Sequence, residues 1–235
     1  MNYFCENQST VGNKMKCLCI GDSLALPRKG VLFSETWFYK CQQAFSDFII
    51  FDNRSQWAQT TKALQSPNIL EYYQPEIVVI HLGIVDCAPR RIFENFILNA
   101  NAVIIKTVFK HLVWRFFNVR YNKFSIISEK QFENNVRDYL ERCKNNNVKK
   151  VVIISICPPT TTFLQKNSAV KIAVEKYNSI LEKITDKYEF AEYVCAIPNN
   201  DNKFFLDDGH HINNVGHDVI FKTIYSIFNS LLNSK

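Results

Sequence analysis

The segment Cys17-Leu18-Cys19-Ile20-Gly21-Asp22-Ser23-Leu24 gives the clearest indication of fold in the chain. Its first four residues are apolar, which is typical of a short buried strand, and Gly21 permits a tight turn at the end of that strand. The hydroxyl of Ser23 is therefore predicted to lie at the carboxyl end of the strand. There it is a candidate nucleophile, and a helix N-cap is the alternative.

Further apolar runs alternate with segments of helical periodicity along the rest of the chain. Buried strands are predicted at 48–51, 76–82, 151–154 and 193–197, and helices at 32–45, 60–73, 129–146, 168–187 and 213–232. Such alternation is typical of a parallel sheet with right-handed crossovers. We therefore predict an α/β fold, a three-layer α/β/α sandwich around a parallel sheet of about five strands, with a site at the carboxyl ends of the strands.

The composition suits a single domain over residues 1–235, since 47% of the residues are hydrophobic. The first sixteen residues contain no apolar run typical of a signal peptide, and no later stretch is apolar enough for a transmembrane helix, so we expect a cytoplasmic protein. Three of the cysteines, Cys17, Cys19 and Cys157, lie in or beside predicted strands, where free thiols pack as small apolar groups. The net charge of +6 is compatible with an anionic partner but does not require one.

An acid and a base follow near the other end of the chain, in Asp208-Gly209-His210-His211-Ile212-Asn213. A serine early in the chain, with an aspartate and a histidine close together late in it, is one of the chain orders that build a hydrolytic triad. Two overlapping Asp-x-x-His pairs are present, Asp207 with His210 and Asp208 with His211. A metal site is the alternative, but adjacent residues seldom all converge on one ion, so neither a metal nor a cofactor is predicted.

These two segments resemble the first and last signature blocks of the GDSL, or SGNH, hydrolases. The resemblance implies a flavodoxin-like SGNH hydrolase fold with Ser23 as the nucleophile. The last block of the family reads Asp-Gly-x-His-x-Asn followed by Gly-His, and only the pair with Asp208 fits it, together with Gly209, His211, Asn213, Gly216 and His217. The resemblance therefore implies His211 as the base and Asp208 as the carboxylate that orients it.

The loop after the second predicted strand is similar to the second block of the family. Ala58 stands where a family glycine donates its backbone N–H to the oxyanion, so the resemblance implies that the N–H groups of Ser23 and Ala58 form the oxyanion hole. We expect this donor to survive the substitution if φ of Ala58 is negative. In the same loop Asn53 and Arg54 are candidate substrate ligands, and a solvated turn is the alternative.

The loop after the third predicted strand resembles the third block, Gly-x-Asn-Asp, with Val85 in place of the asparagine. The missing amide donor is expected to cost about 3 kcal/mol of transition-state stabilisation. Asn53, Arg54 or Arg90 could replace it, the backbone donors could suffice, or the chemistry could have weakened. Asp86 is a candidate substrate ligand in this block, and a helix N-cap is the alternative.

Four arginines, Arg28, Arg54, Arg90 and Arg91, lie in loops just beyond predicted strand ends. They could face the pocket and bind a carboxylate or a phosphate, or they could be solvated. The segment 90–128 is longer than an ordinary crossover and predicts a helical insertion. Within it, basic and aromatic residues interleave over 106–123, which could contact a membrane, form a lid or pack on its own core.

Three functions are compatible with these residues. The first is a serine hydrolase that removes an O-acyl group, with acetyl expected, from a carbohydrate or a small ester. The second is an O-acyltransferase of polysaccharide biosynthesis, because the triad does not distinguish water from a sugar hydroxyl as acceptor. The third is a carbohydrate-binding or assembly protein without catalysis, which the departures at Ala58 and Val85 favour. No RNA-binding motif accompanies the aromatic residues, so nucleic acid is not an expected partner.

Overall fold

A parallel sheet of five strands forms the centre of the protein. The computed structural model describes residues 14–67, 69–89 and 125–233. The strands, in chain order, are β1 (Met15–Gly21), β2 (Ile49–Asn53), β3 (Ile77–His81), β4 (Lys150–Ile154) and β5 (Ala191–Val194). They lie in the order β2-β1-β3-β4-β5, and every pairing is parallel. All strands therefore end at the same edge of the sheet.

Helices connect the strands. In the described residues they are α1 (Trp37–Ala44), α2 (Ile69–Tyr73), α3 (Ile84–Cys87), α4 (Glu129–Asn145), α5 (Thr161–Lys166), α6 (Val170–Thr185) and α7 (Asn214–Asn233). Short 3₁₀ helices occur at Ser23–Ala25, Phe33–Glu35, Thr61–Gln65 and Asn202–Phe204. None of the helices in the described part of the chain combines the length and the apolarity needed to cross a membrane.

The two faces of the sheet carry separate apolar cores. Leu18 and Ile20 of β1 lie in the core that also contains residues of α4 and α6, whereas Cys17 and Cys19 lie in the core that contains residues of α1 and α7. Alternate side chains of a strand point to opposite faces, so helices cover both sides of the sheet. The predicted α/β/α sandwich is confirmed. The prediction that these cysteines are buried free thiols is also confirmed.

Two predicted helices are each divided in the structure. The segment predicted at 32–45 is a 3₁₀ turn followed by α1, because Thr36 is extended and its Oγ accepts the N–H of Tyr39 as an N-cap. The segment predicted at 60–73 is a 3₁₀ helix followed by α2, with Pro67 between them. The predicted insertion at 90–128 falls almost entirely outside the described residues, as does the predicted membrane or lid segment at 106–123.

The register of the sheet places three loops next to one another. Gly21 of β1 pairs with His81 of β3, and Cys19 pairs with Asn53 of β2. Backbone hydrogen bonds continue past the strand ends, since the N–H of Asp22 donates to the carbonyl of His81 at 3.1 Å and the N–H of Gln56 donates to that of Gly21 at 3.0 Å. The loops after β1, β2 and β3 therefore share one edge of the sheet.

Candidate active site

Ser23 lies in the tight turn that follows β1. The backbone of Asp22 is extended, and its Oδ1 accepts the N–H of Leu24 at 2.9 Å, so that Ser23 begins a 3₁₀ turn. A Cβ atom on Gly21 would lie 2.8 Å from Ala25 Cβ and from Ser55 Oγ. Glycine is thus required here by the close approach of these side chains. Ser23 itself is held rigidly and is 9% exposed.

Three side chains meet in a line at this position. Ser23 Oγ lies 3.1 Å from His211 Nε2, and His211 Nδ1 lies 2.6 Å from Asp208 Oδ2. The serine and the histidine are 188 positions apart in the chain. The structure therefore brings together the three residues that the sequence predicts as nucleophile, base and orienting carboxylate, in the hydrogen-bonding order that a triad requires.

Asp208 is held in its ionised form by donors on both of its oxygens. Oδ1 accepts the backbone N–H groups of His210 and His211 at 3.1 and 2.9 Å, and Oδ2 contacts the ring of His211. Burial alone would raise the pKa of Asp208, but these hydrogen bonds outweigh it and bring the pKa to about 2. The carboxylate is therefore charged at neutral pH and can stabilise an imidazolium.

His211 is neutral in the resting site. Burial, together with the neighbouring His210, lowers the pKa of its imidazole to about 4, although the hydrogen bond to Asp208 acts in the opposite direction. A neutral imidazole with Nδ1 held by a carboxylate presents a lone pair at Nε2. It can accept the proton of Ser23.

The overlapping Asp207 and His210 do not form the corresponding contacts. Asp207 is exposed, and the ring of His210 stacks on Phe163 with the centroids 4.6 Å apart. His210 Nδ1 lies 3.4 Å from Asp208 Oδ1 and makes no hydrogen bond. Of the two predicted pairs, the one with His211 contacts Ser23.

The loop that carries the acid and the base is anchored on both sides. Thr160 Oγ1 donates to the carbonyl of Gly209 at 2.8 Å, and a Cβ atom on this glycine would lie 2.3 Å from that hydroxyl. Asn213 Nδ2 donates to the carbonyls of Lys203 and Phe205, and its Oδ1 accepts the N–H of Gly216. The loop therefore has little freedom to move His211 away from Ser23.

His217, which also belongs to the last sequence block, has a structural position. It is buried in α7, and its Nδ1 accepts the N–H of Trp37 at 3.3 Å. This bond joins the first turns of α1 and α7 beneath the site. Burial lowers the pKa of His217 to about 3, so the ring is neutral and remains an acceptor.

The backbone of Ala58 has a positive φ angle. Its φ is +56°, in the left-handed region, so the condition of a negative φ is not met. An alanine in this conformation costs about 1–2 kcal/mol, which glycine does not incur. The surrounding loop maintains it, because Gln59 Nε2 donates to the carbonyls of Gly21 and Arg54. The role of its N–H as an oxyanion donor stays a prediction.

Asp86 is a structural residue, and its prediction as a substrate ligand is wrong. Its side chain is fully buried and accepts the backbone N–H of Thr61 at 2.9 Å and the Thr61 hydroxyl at 2.5 Å. It also lies within α3, so it does not cap that helix. Burial raises the pKa of Asp86 to about 6 against the effect of these hydrogen bonds. Asp86 therefore fixes the start of the 3₁₀ helix Thr61–Gln65 to α3.

The other predicted ligands lie near the site or outside the described residues. Asn53 Oδ1 accepts the N–H of Ser55 at 3.0 Å, and Arg54 Nε donates to Asp52 at 2.8 Å. These contacts shape the loop after β2, and a role in substrate binding stays a prediction. Arg90 falls outside the described residues. Val85 is 7% exposed and packs in the apolar core, so its side chain supplies no donor.

Of the two predicted pocket arginines that lie within the described residues, Arg28 and Arg54, it is Arg28 that lies at the triad. Its Nη1 lies 3.7 Å from Asp208 Oδ2, and its guanidinium lies 4.8 Å from the ring of Trp57. Its position in a loop beyond β1 was visible in the sequence, but nothing there distinguished it from the other three. The contact depends on residues 180 positions apart that only the folded chain brings together.

Asp208, His210 and His211 also have the composition of a metal site. Their ligand atoms lie within 4.8 Å of one another. However, a cation that used both Asp208 and His211 would have to displace the contacts that link them to Ser23. The nearby charge of Arg28 would also oppose it. The donor set therefore fits a hydrogen-bonded triad better than a metal ion.

No protein-family model matches the chain, and no curated protein matches it. Solved structures do match. A psychrotrophic esterase from Pseudoalteromonas sp. superposes with a TM-score of 0.61 at 17% identity, covering 94% of this chain and 100% of that chain. An acetylxylan esterase from Geobacillus stearothermophilus gives 0.58 at 15% identity, with coverages of 89% and 92%. A lipase/acylhydrolase from Enterococcus faecalis gives 0.59 at 15% identity, with 89% and 93%. This chain therefore shares the α/β fold of these three enzymes.

Proposed function

We propose that this protein is a serine hydrolase that cleaves O-acyl esters. The observation that carries the proposal is the continuous hydrogen-bonded line from Ser23 Oγ through the ring of His211 to Asp208 Oδ2. The pKa values of the two titratable members support it, since the carboxylate is ionised and the imidazole is neutral at neutral pH. These are the protonation states from which a triad begins its reaction.

In the first step Ser23 Oγ attacks the ester carbonyl and His211 Nε2 takes its proton. Asp208 holds Nδ1–H and stabilises the imidazolium that forms. The backbone N–H groups of Ser23 and Ala58 are the proposed donors to the oxyanion. The imidazolium then protonates the departing alcohol, which leaves an acyl group on Ser23. Water, deprotonated by His211, releases the acid and regenerates the hydroxyl.

The absence of an amide at Val85 is expected to limit the rate. Removing one side-chain donor from an oxyanion hole typically lowers kcat by a factor of about 10²–10³. The two proposed backbone donors do not depend on side-chain identity, so the chemistry is expected to persist at a reduced rate. A carbohydrate-binding protein without catalysis remains the second candidate, and the buried valine is the observation that favours it.

We further propose an O-acetylated carbohydrate as the substrate class. One of the matching structures, the protein from Geobacillus stearothermophilus, is an acetylxylan esterase. In this chain, the indole of Trp57 is 63% exposed beside Arg28 at the triad. An exposed aromatic face near a nucleophile suits the apolar face of a sugar ring.

The proposal is tested by following the hydrolysis of 4-nitrophenyl acetate and of peracetylated xylose. Wild type is expected to release acetate from both, and Ser23→Ala is expected to release none above background. Ser46→Ala is the matched control. Ser46 is exposed and follows the end of α1, so this variant should retain wild-type activity. Equal activity in the Ser23→Ala and wild-type proteins would contradict the assignment.

A further inference from the structure

Arg28 begins a hydrogen-bonded backbone turn beside the triad. Its N–H donates to the carbonyl of Val31 at 3.0 Å, and the N–H of Val31 donates back at 2.9 Å. Gly30 closes this turn with φ of +92°, a conformation that side chains rarely adopt. The side chain of Arg28 is only 10% exposed. The guanidinium therefore occupies a fixed and largely dehydrated position.

This guanidinium is incompletely paired. Nη1 points to Asp208 Oδ2 at 3.7 Å, beyond hydrogen-bonding distance. Nε and Nη2 are buried, and no residue among 14–67, 69–89 and 125–233 offers them an acceptor. Within the described residues, Asp208 is the only carboxylate at ion-pair distance from Arg28. That carboxylate already accepts hydrogen bonds from His210 and His211. A buried cation with two unused donors is unfavourable unless a ligand supplies the acceptors.

Arg142 shows how this chain satisfies a structural arginine. Its Nε and Nη2 donate to the two carboxylate oxygens of Glu71, both at 2.8 Å, and its Nη1 donates to the carbonyl of Leu64. Nε and Nη2 form the planar edge of a guanidinium that binds a carboxylate with two parallel hydrogen bonds. In Arg28 the same two atoms are the unpaired ones. In the part of the chain that the structure describes, no acceptor contacts the edge of Arg28 that corresponds to the one bound by Glu71 on Arg142.

We infer that Arg28 and Trp57 form a subsite for a carboxylate on the substrate, so that the preferred ester is that of an acidic alcohol, such as an acidic sugar. This inference rests on the proposed function and names its substrate class. The planar edge of Arg28 suits the planar carboxylate, as the pair of Arg142 and Glu71 shows. The exposed indole of Trp57 covers the guanidinium face and offers an apolar surface to the rest of the ligand.

The position of Arg28 assigns the carboxylate to the alcohol part of the ester. The hydrogen-bonded line runs from Ser23 through His211 to Asp208, and Arg28 lies at its Asp208 end. The departing alcohol takes its proton from His211, whereas the oxyanion donors lie at Ser23 itself. Because Nε and Nη2 are below the surface, the proposed binding requires a shift of the exposed Trp57 side chain. Binding is therefore expected to change the fluorescence of that indole.

The test compares 4-acetoxybenzoate with its methyl ester, which differ only in the free carboxylate, and repeats the comparison with the 3-isomers. Wild type is expected to prefer the free acid of at least one isomer by about tenfold in kcat/KM, mainly through KM. In Arg28→Gln that preference should fall at least about fivefold, and Arg28→Lys should restore only part of it, since lysine keeps the charge and loses the planar edge. Arg137→Gln, at an exposed ion pair on α4, is the control and should keep the preference.

A loss of activity that is equal for the free acid and the methyl ester in Arg28→Gln would overturn the inference, because Arg28 would then only position Asp208. No preference for either free acid in wild type would overturn it as well.

A binding titration distinguishes a failure of the proposed hydrolysis from a failure of the proposed subsite. If wild type hydrolyses neither ester, the Ser23→Ala protein is titrated with both compounds by tryptophan fluorescence. Saturable binding of the free acid, weaker by about tenfold in the Ser23→Ala, Arg28→Gln double variant, would support the subsite without the chemistry. Binding of the free acid that is absent, or no tighter than that of the methyl ester, would contradict the subsite.

Discussion

Asp208 and Asp86 both occupy family-like sequence blocks near the edge that carries Ser23, yet their environments are opposite. Asp208 is partly exposed and accepts hydrogen bonds from His210 and His211, and its pKa is lowered to about 2. Asp86 is fully buried against Thr61, and its pKa is raised to about 6. The first is a charged partner for a histidine, and the second holds two segments of backbone together. An aspartate in a signature block can thus serve chemistry or architecture, and its contacts decide which.

The largest expected effect is the loss of catalytic rate when Asp208 is replaced. Asp208→Asn is expected to lower kcat by about 10⁴-fold, because the amide favours the wrong tautomer of His211. The free energy of unfolding at neutral pH is expected to fall as well, but the protein should remain folded, since the lost carboxylate is partly exposed. Ester hydrolysis and urea denaturation measure the two quantities. Asp207→Asn, at the neighbouring exposed carboxylate, is the control and should behave as wild type. A comparable loss in both variants would contradict the role of Asp208.

Asp86→Asn tests whether Asp86 stabilises the fold through its contact with Thr61. At pH 4 it is expected to lower the free energy of unfolding by about 1–3 kcal/mol, since the amide satisfies the two donors of Thr61 less well than the carboxyl group does. The effect on kcat should be much smaller than that of Asp208→Asn. Denaturation curves and the hydrolysis assay on the same preparations provide the measurement. A variant of unchanged stability that has lost activity would show that Asp86 acts in catalysis after all.

The two aspartates also predict opposite dependences on pH. The pKa of Asp86 is higher in the folded than in the unfolded chain, so its contribution to stability is present below about pH 4 and is lost as the pH rises through about 6. The pKa of Asp208 is lower in the folded chain, so its contribution is present above about pH 4 and is lost as the pH falls to about 2. Differences in unfolding free energy between each Asn variant and wild type, measured from pH 2 to 8, should show these slopes. Parallel slopes for the two variants would contradict the assignment.

Val85→Asn tests whether a side-chain amide at position 85 can act as an additional donor to the oxyanion. It is expected to raise kcat by about tenfold, less than the full effect of an oxyanion donor, because Val85 packs in an apolar core that must admit a polar group. Val85→Thr, which is polar but has no amide N–H, is the control and should not gain activity. A decrease in kcat in both variants at unchanged folding would show that this helix does not face the oxyanion.

The smallest effect concerns the protonation of His211. Because burial lowers the pKa of His211 to about 4, kcat/KM for a neutral ester should rise with pH to about 4 and be nearly constant from pH 5 to 8. An acid limb near pH 6.5, where a solvated histidine titrates, would indicate that the imidazole is more exposed than its contacts imply.

The sequence predicted what local patterns determine. The run of apolar residues before Gly21 determines β1 and the turn that carries Ser23, and the alternation of strands and helices determines the sandwich. Spacing alone left Asp208 with His211 and Asp207 with His210 as equal candidates, and the resemblance to the family's last block decided between them. The contact of Asp86 with Thr61 and that of Arg28 with Asp208 could not be predicted, since each joins residues that only the tertiary fold brings together. The left-handed backbone of Ala58 was also missed, because alanine itself disfavours it.

The central claim is that Ser23 is a nucleophile activated by His211, and covalent labelling tests it most directly. The protein is incubated with a fluorophosphonate, digested, and analysed by mass spectrometry. The account predicts one phosphonyl group per chain, on Ser23, and a large decrease in labelling rate in His211→Gln. Labelling absent from Ser23 in folded wild-type protein, or equally fast in His211→Gln, would contradict it.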